Sequence, residues 1–326
     1  SSPMRFACLL LAILTTGALA QERIYELDED GNWVLVEEPT EGSDAAVIRD
    51  ARQLIVDGNP GQARDLLDRW IDAQRTTKSP WYPLALLVRG DAKQASGNEY
   101  KALYDYERIT KEFAGSDVFP TAVEREVDIA VQYVNGLRKR AFGIRWENAE
   151  RIGEELLIRA HERMPGSSIG ERAIIELADY YYRVRDMRSA STTYELFLEN
   201  YPDSSHRRKA MQRRVYANIA RFKGPRYDGS GLLEARILVE EFASRYPADA
   251  EQAGLTDALV ARIDESAAQE MLETARWYLR RGDKPAARYT LKRLLTKLDG
   301  RYARTVAASE AHRIMDREGW TVEREP

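Results

Sequence analysis

His161 and Glu162 begin the one stretch that starts like H-E-x-x-H, the motif in which two histidines a helical turn apart hold zinc and the glutamate activates water. The position that must carry the second histidine is Pro165, so that chemistry is not expected. His206 and His312, the other histidines, stand alone in sequence and read as surface or helix-end residues. No G-x-x-x-x-G-K-[ST] phosphate loop, G-x-G-x-x-G after a strand, or G-x-S-x-G elbow is present. The single cysteine, Cys8, lies in an apolar N-terminal run, so neither a thiol nucleophile nor a thiolate metal site is expected. Carboxylate pairs such as Glu154-Glu155 are neighbours on charged helical faces. The residues therefore point to no enzyme activity, no cofactor and no metal.

Two basic runs, Arg138-Lys139-Arg140 with Arg145 and Arg207-Arg208-Lys209 with Arg213-Arg214, read as solvated helix surface, with an acidic partner or lipid phosphate as the functional alternative. Among the aromatics, Tyr180-Tyr181-Tyr182 cannot all be buried equally, because successive helical residues are about 100° apart. Tyr181 is expected to pack inward and Tyr182 to face a groove, where tyrosine offers contact area with a polar tip.

The elements that position these residues are paired helices. Residues 171–204 carry Ile174, Leu177, Ala178 and Tyr181 at helical spacing, then Ala190, Tyr194 and Phe197, and stop at Tyr201-Pro202-Asp203-Ser204. That order of large, small, aromatic, small, aromatic and proline is similar to one tetratricopeptide unit, whose period is about 34 residues. Ala178 and Ala190 allow two helices to cross closely, and Pro202, which has no N–H to donate, ends the second helix. One such pair cannot bury its apolar stripe alone, so stacked neighbours are required.

Composition suits this reading. Of 326 residues, 44% are hydrophobic and 31% charged, and the formal net charge of −4 argues against nucleic acid as a partner. Arg5, the apolar residues 6–16 and Ala18-Leu19-Ala20 before Gln21 predict a cleavable signal peptide over residues 1–20. The run is too short for a membrane span of about 20 residues. Cys8 precedes most of it, so a lipid anchor is not expected; Ser1-Ser2-Pro3 before Met4 reads as an upstream remnant.

Residues 21–43 are expected to form a hairpin or an acidic linker, with Ile24-Tyr25-Glu26-Leu27 and Trp33-Val34-Leu35-Val36 as two short strands. Helical repeats follow over 44–148 and 149–320, with a tail at 321–326. Breaks at Gly58-Asn59-Pro60-Gly61, Ser96-Gly97-Asn98, residues 223–231 and Gly282-Asp283 divide about six pairs. The third pair opens with a long helix over 121–139, joined through Gly143 and Trp146 to the next. A last helix over 302–317 caps the array. The fold class is an all-α tetratricopeptide solenoid.

The endings Met164-Pro165-Gly166-Ser167, Tyr201-Pro202-Asp203-Ser204 and Tyr246-Pro247-Ala248-Asp249, with Ala275-x-x-Tyr278 before an alanine-arginine helix, resemble the BamD family over residues 149–320. That resemblance implies a non-enzymatic periplasmic scaffold of outer-membrane β-barrel assembly. Its expected partners are a barrel-assembly subunit or unfolded outer-membrane proteins, with peripheral outer-membrane association. A different periplasmic adaptor, in cell division or peptidoglycan coordination, is the alternative. The likeness to tetratricopeptide units also maps a protein-binding groove onto Arg172, Ile175, Asp179 and Tyr182, and onto Gln269, Leu272 and Arg276 with Leu279 in the sixth pair.

Overall fold

The computed structural model describes residues 25–27, 33–35, 39–74, 79–141, 143–221 and 230–321. The signal peptide expected over residues 1–20, the turn at 28–32 and most of the loop at 223–231 lie outside the described residues. Two strands, β1 (Tyr25–Leu27) and β2 (Trp33–Leu35), pair antiparallel with Glu26 opposite Val34, where the alternating apolar residues place them. Fourteen helices follow among the described residues.

The first two pairs are α1 (Asp44–Val56) with α2 (Pro60–Ala73), and α3 (Tyr82–Ala95) with α4 (Glu99–Glu112). Next come α5 (Phe119–Val134), a hairpin of β3 (Lys139–Ala141) and β4 (Ile144–Glu147), and α6 (Glu150–Arg163). The fourth pair is α7 (Ser168–Arg183) with α8 (Met187–Asn200), and the fifth α9 (Arg207–Arg221) with α10 (Ser230–Arg245). A short α11 (Pro247–Ala253) leads to the sixth pair, α12 (Asp257–Arg280) with α13 (Lys284–Gly300). The capping segment is split into a 3-10 turn (Arg301–Arg304) and α14 (Val306–Arg317).

Local chemistry sets these boundaries. Ser43 Oγ accepts from Ala46 N, Ser167 Oγ from Gly170 N and Thr305 Oγ1 from Ala308 N, each satisfying an amide that the first turn leaves unpaired. The turn between paired helices recurs almost unchanged. Gly58 N bonds Ile55 O and Asn59 N bonds Leu54 O; Gly97 and Asn98 repeat this on Gln94 and Lys93, and Gly282 and Asp283 on Leu279 and Tyr278. The three glycines have φ of 77°, 70° and 79°, the left-handed C′ position that closes a helix. In the fourth pair the same turn is made by Arg185, at φ 66°.

Burial follows the small-against-aromatic pattern. Ala178, Ala190, Tyr194 and Phe197 are all buried where α7 crosses α8. In the second pair a Cβ on Gly90 would overlap the Tyr106 ring, so only glycine lets α3 and α4 approach this closely. First helices also meet first helices: α1 meets α3, α5 meets α7, α7 meets α9, and α12 meets α14. The core is accordingly drawn out along the stack. One apolar cluster runs from Ile48 to Ala217, a second spans Met211 to Ile263, and a third joins Ala267 to Met315.

Two expectations are corrected. The helix read over 121–139 stops at Val134, because Gly136 takes φ 96° and Leu137 N turns back to Gln132 O at 2.9 Å. Lys139 then belongs to a strand, and the linker at Gly143 and Trp146 is a second β-hairpin. In the tyrosine triplet it is Tyr180 that is buried, while Tyr181 and Tyr182 are both half-buried.

Arg185 supplies a direct test. Replacing it with glycine removes the left-handed strain on a β-carbon, and Arg185→Gly should stabilise the protein by about 0.5–1 kcal/mol. A chemical-denaturation midpoint that falls instead would show that the arginine side chain matters more than its backbone.

Candidate protein-binding face

The first helices are tied to one another by charge. Asp91 on α3 accepts from the Tyr106 hydroxyl at 2.8 Å and from Arg125 Nε of α5 at 3.0 Å. Asp179 on α7 repeats the arrangement with Tyr194 at 2.6 Å and Arg213 of α9 at 2.5 Å, and adds Lys209 at 2.5 Å. In both, the tyrosine lies 15 residues and the arginine 34 residues beyond the aspartate, which is one repeat period. Arg276 on α12 and Glu310 on α14 are paired at the same spacing, 3.4 Å apart, with the signs reversed. Burial and the adjacent carboxylate push the Tyr106 and Tyr194 phenols well above their ordinary range, so both remain donors to their aspartates.

These links fix where the sequence-predicted groove residues lie. Arg172 reaches across to Asp128 of α5 at 2.7 Å and is exposed. Asp179 is the hub just described. Tyr182 is held edge-on to Tyr194, ring centroids 6.4 Å apart, with the Arg213 guanidinium 5.4 Å over its ring. Ile175 and Leu272 are buried in the apolar clusters, which removes both from any open groove. Each sits on the stripe its helix turns toward a neighbouring helix, so burial takes precedence over display. Gln269 is half-buried, Leu279 packs against the C-terminal cluster, and Arg276 is shared between Glu273 and Glu310. The structure therefore brings Asp179 and Tyr182 together around Arg213 and leaves Arg172 at the rim. The α12 residues form a separate group built on different contacts.

On the second-helix side, α4, α5 and α6 enclose a cleft of about 180 Å³ lined by Tyr100, Leu103, Tyr104, Glu107, Ile152, Leu156 and Arg159 among others. Glu126 lies at its floor with no solvent exposure, its carboxylate 2.5 Å from Arg163 Nη1. Burial pushes this carboxyl up to about 7, and Glu107 nearby adds to the shift while Arg163 opposes it. Arg159 pairs with both Glu107 and Glu155. This cleft was not foreseen, since its charged members look like any other solvated helical residues. The β3–β4 hairpin also escaped the sequence reading, although the alternation Ile144-Arg145-Trp146 beside Gly143 is a strand signal.

No group of three or more His, Cys, Asp or Glu able to hold a metal occurs among the described residues, and no described helix is long and apolar enough to cross a membrane. The YfiO family model, described as outer membrane lipoprotein, matches residues 146–318, more than half of the chain.

The chain belongs to the YfiO, or BamD-like, family.

No curated protein matches the sequence. Among solved structures, the chain is similar to the C-terminal part of a TPR repeat-containing protein from Cytophaga hutchinsonii. The two are 15% identical, with 83% of this chain and 88% of that chain covered and a TM-score of 0.40.

The YfiO match opens within β4 and closes just past α14. It contains Asp179–Arg213 and Arg276–Glu310, whereas Asp91–Arg125 precedes it, so the same inter-repeat linkage extends outside the matched region.

Two experiments examine this face. Asp179→Asn removes the charge shared by Lys209 and Arg213, both partly exposed, and should cost about 1–2 kcal/mol. The effect should shrink when Arg213 is already glutamine, and a double-mutant cycle with no coupling would show that the link does not tie the repeats. For Glu126 the folded carboxyl titrates above its unfolded value, so its contribution to stability is complete below the unfolded pKa and is lost as pH rises through about 7. The wild type should therefore gain stability relative to Glu126→Gln as pH falls from about 8 to about 6. A difference that stays flat over this range would mean that Arg163 keeps the carboxylate ionised throughout.

Proposed function

We propose that the chain is a non-enzymatic protein-binding scaffold of the cell envelope that acts in β-barrel outer-membrane protein assembly. One observation carries this reading: the YfiO family model spans α6 to α14, nearly all of the second half of the chain. The stacked helix pairs add physical support, because solenoids offer long surfaces for other proteins and need no reaction centre. Residues 149–320 are proposed as the assembly-related unit and residues 44–148 as N-terminal repeats that extend its surface. Arg172, Asp179, Tyr182 and Arg276 are the groove residues on which a partner would bear, each already positioned by a neighbouring helix.

Residues 1–20 direct export to the periplasm in this reading. The family description is that of a lipoprotein and lends no support to an unanchored protein. Intact-mass measurement of the exported chain discriminates between a Gln21 start and a lipid-bearing cysteine.

The role itself is tested by crosslinking in envelope extracts. Recovery of a barrel-assembly subunit or of unfolded outer-membrane proteins is expected, with capture reduced by Tyr182→Ala. Recovery of cell-division or peptidoglycan proteins in their place would overturn the assembly reading and leave the scaffold one standing.

A further inference from the structure

The β3–β4 hairpin has two chemically opposite faces. Successive strand residues point to opposite sides, so Arg145 lies on one face of β4 and Ile144 and Trp146 on the other. Arg145 Nη2 is 2.5 Å from Glu99 Oε1 and 3.3 Å from Gly97 O, and Arg140 Nη1 is 3.4 Å from Ser96 O. Lys139 Nζ sits 4.1 Å over the Tyr100 ring and 3.0 Å from Glu147. Those contacts fasten the hairpin to the α3–α4 turn and to α4. The other face is left to solvent: Ile144 is 69% and Trp146 57% exposed.

We propose that this face is a contact site for a phospholipid bilayer surface bearing anionic headgroups. A tryptophan beside an aliphatic residue, on a strand whose neighbours are basic, matches the interfacial layer, where the indole body is buried among acyl chains and its N–H stays wet. The charges are complementary. Glu147 and Glu99 are occupied by Lys139 and Arg145, and Arg140 is held on Ser96 O on the anchoring face, whereas exposed Arg138 meets only the carbonyl oxygen of Trp146 among the described residues. Its positive charge is therefore not cancelled by a carboxylate and is available to lipid phosphate. The backbone is prepared as well, since the strands pair with each other and Arg138 donates to Trp146 O at 3.3 Å. With a net charge of −4, the chain as a whole is repelled by an anionic surface, so adhesion there requires a local basic spot such as this. The proposal rests on the hairpin alone and does not depend on the barrel-assembly role.

The test uses the full chain with vesicles of phosphatidylcholine alone or mixed with phosphatidylglycerol, the acyl chains brominated. Bromine should quench Trp146, so the parent should lose more fluorescence than Trp146→Phe on phosphatidylglycerol vesicles. Ile144→Ser combined with Trp146→Ser should lower partitioning by about tenfold or more. Arg138→Gln should weaken the preference for phosphatidylglycerol and its sensitivity to salt. These variants should melt like the parent because Ile144, Trp146 and Arg138 are exposed. Any affinity of the apolar N-terminus is common to every variant and leaves the quenching difference untouched. Equal quenching in the parent and Trp146→Phe would overturn the proposal. So would a serine double variant that partitions like the parent.

Discussion

The stack depends on how closely the paired helices cross: in the second pair an aromatic ring on the second helix, Tyr106, is seated over a first-helix residue, Gly90, that is too small to push it away. In the fourth pair Ala178 and Tyr194 are both fully buried where the two helices meet. Close approach brings each tyrosine hydroxyl to the aspartate that follows the small residue, at 2.8 Å for Asp91 and 2.6 Å for Asp179. Each aspartate then has lone pairs left to accept from the next first helix. Packing within a pair thus creates the acceptor that binds one pair to the next, and the stack grows from a local steric fact.

That dependence explains which parts were legible in the sequence. Apolar spacing and punctuation were enough to give the paired helices, because Gly58, Gly97 and Gly282 mark turns that require a left-handed backbone. The fourth turn was found without a glycine, since Arg185-Asp186 still interrupts two strong apolar patterns. The hairpin β3–β4 was missed because its strands are short and mostly charged, and a run such as Arg138-Lys139-Arg140 continues a helical pattern as readily as it ends one. What stopped α5 was the backbone of Gly136, a single-residue signal inside a long amphipathic stretch.

The candidate face was harder to read for a different reason. Repeat position says which residues lie near a groove, but not whether a neighbour has already claimed them. Ile175 and Leu272 are consumed by the core, and Asp179 is positioned by Tyr194, Lys209 and Arg213 while keeping an exposed edge. Tyr182 was read as facing a groove; its partner Arg213 comes from the following pair, a relation that no single-unit alignment of positions reveals. The buried Glu126 was invisible for the same reason, since its burial is made by α4 and α6 and not by its own helix.

The reversed polarity of Arg276 and Glu310 has a consequence for how the chain avoids folding wrongly. Repeats of similar shape invite exchange, in which one unit takes the seat of another or joins a unit from a second molecule. If α12 took the place of α7, Arg276 would confront Arg213, two guanidiniums where a carboxylate is needed. If α14 took the place of α9, Glu310 would meet Asp179. Opposite polarity therefore acts as an address for the C-terminal seam, making an exchange between it and the α7–α9 seam electrostatically self-rejecting.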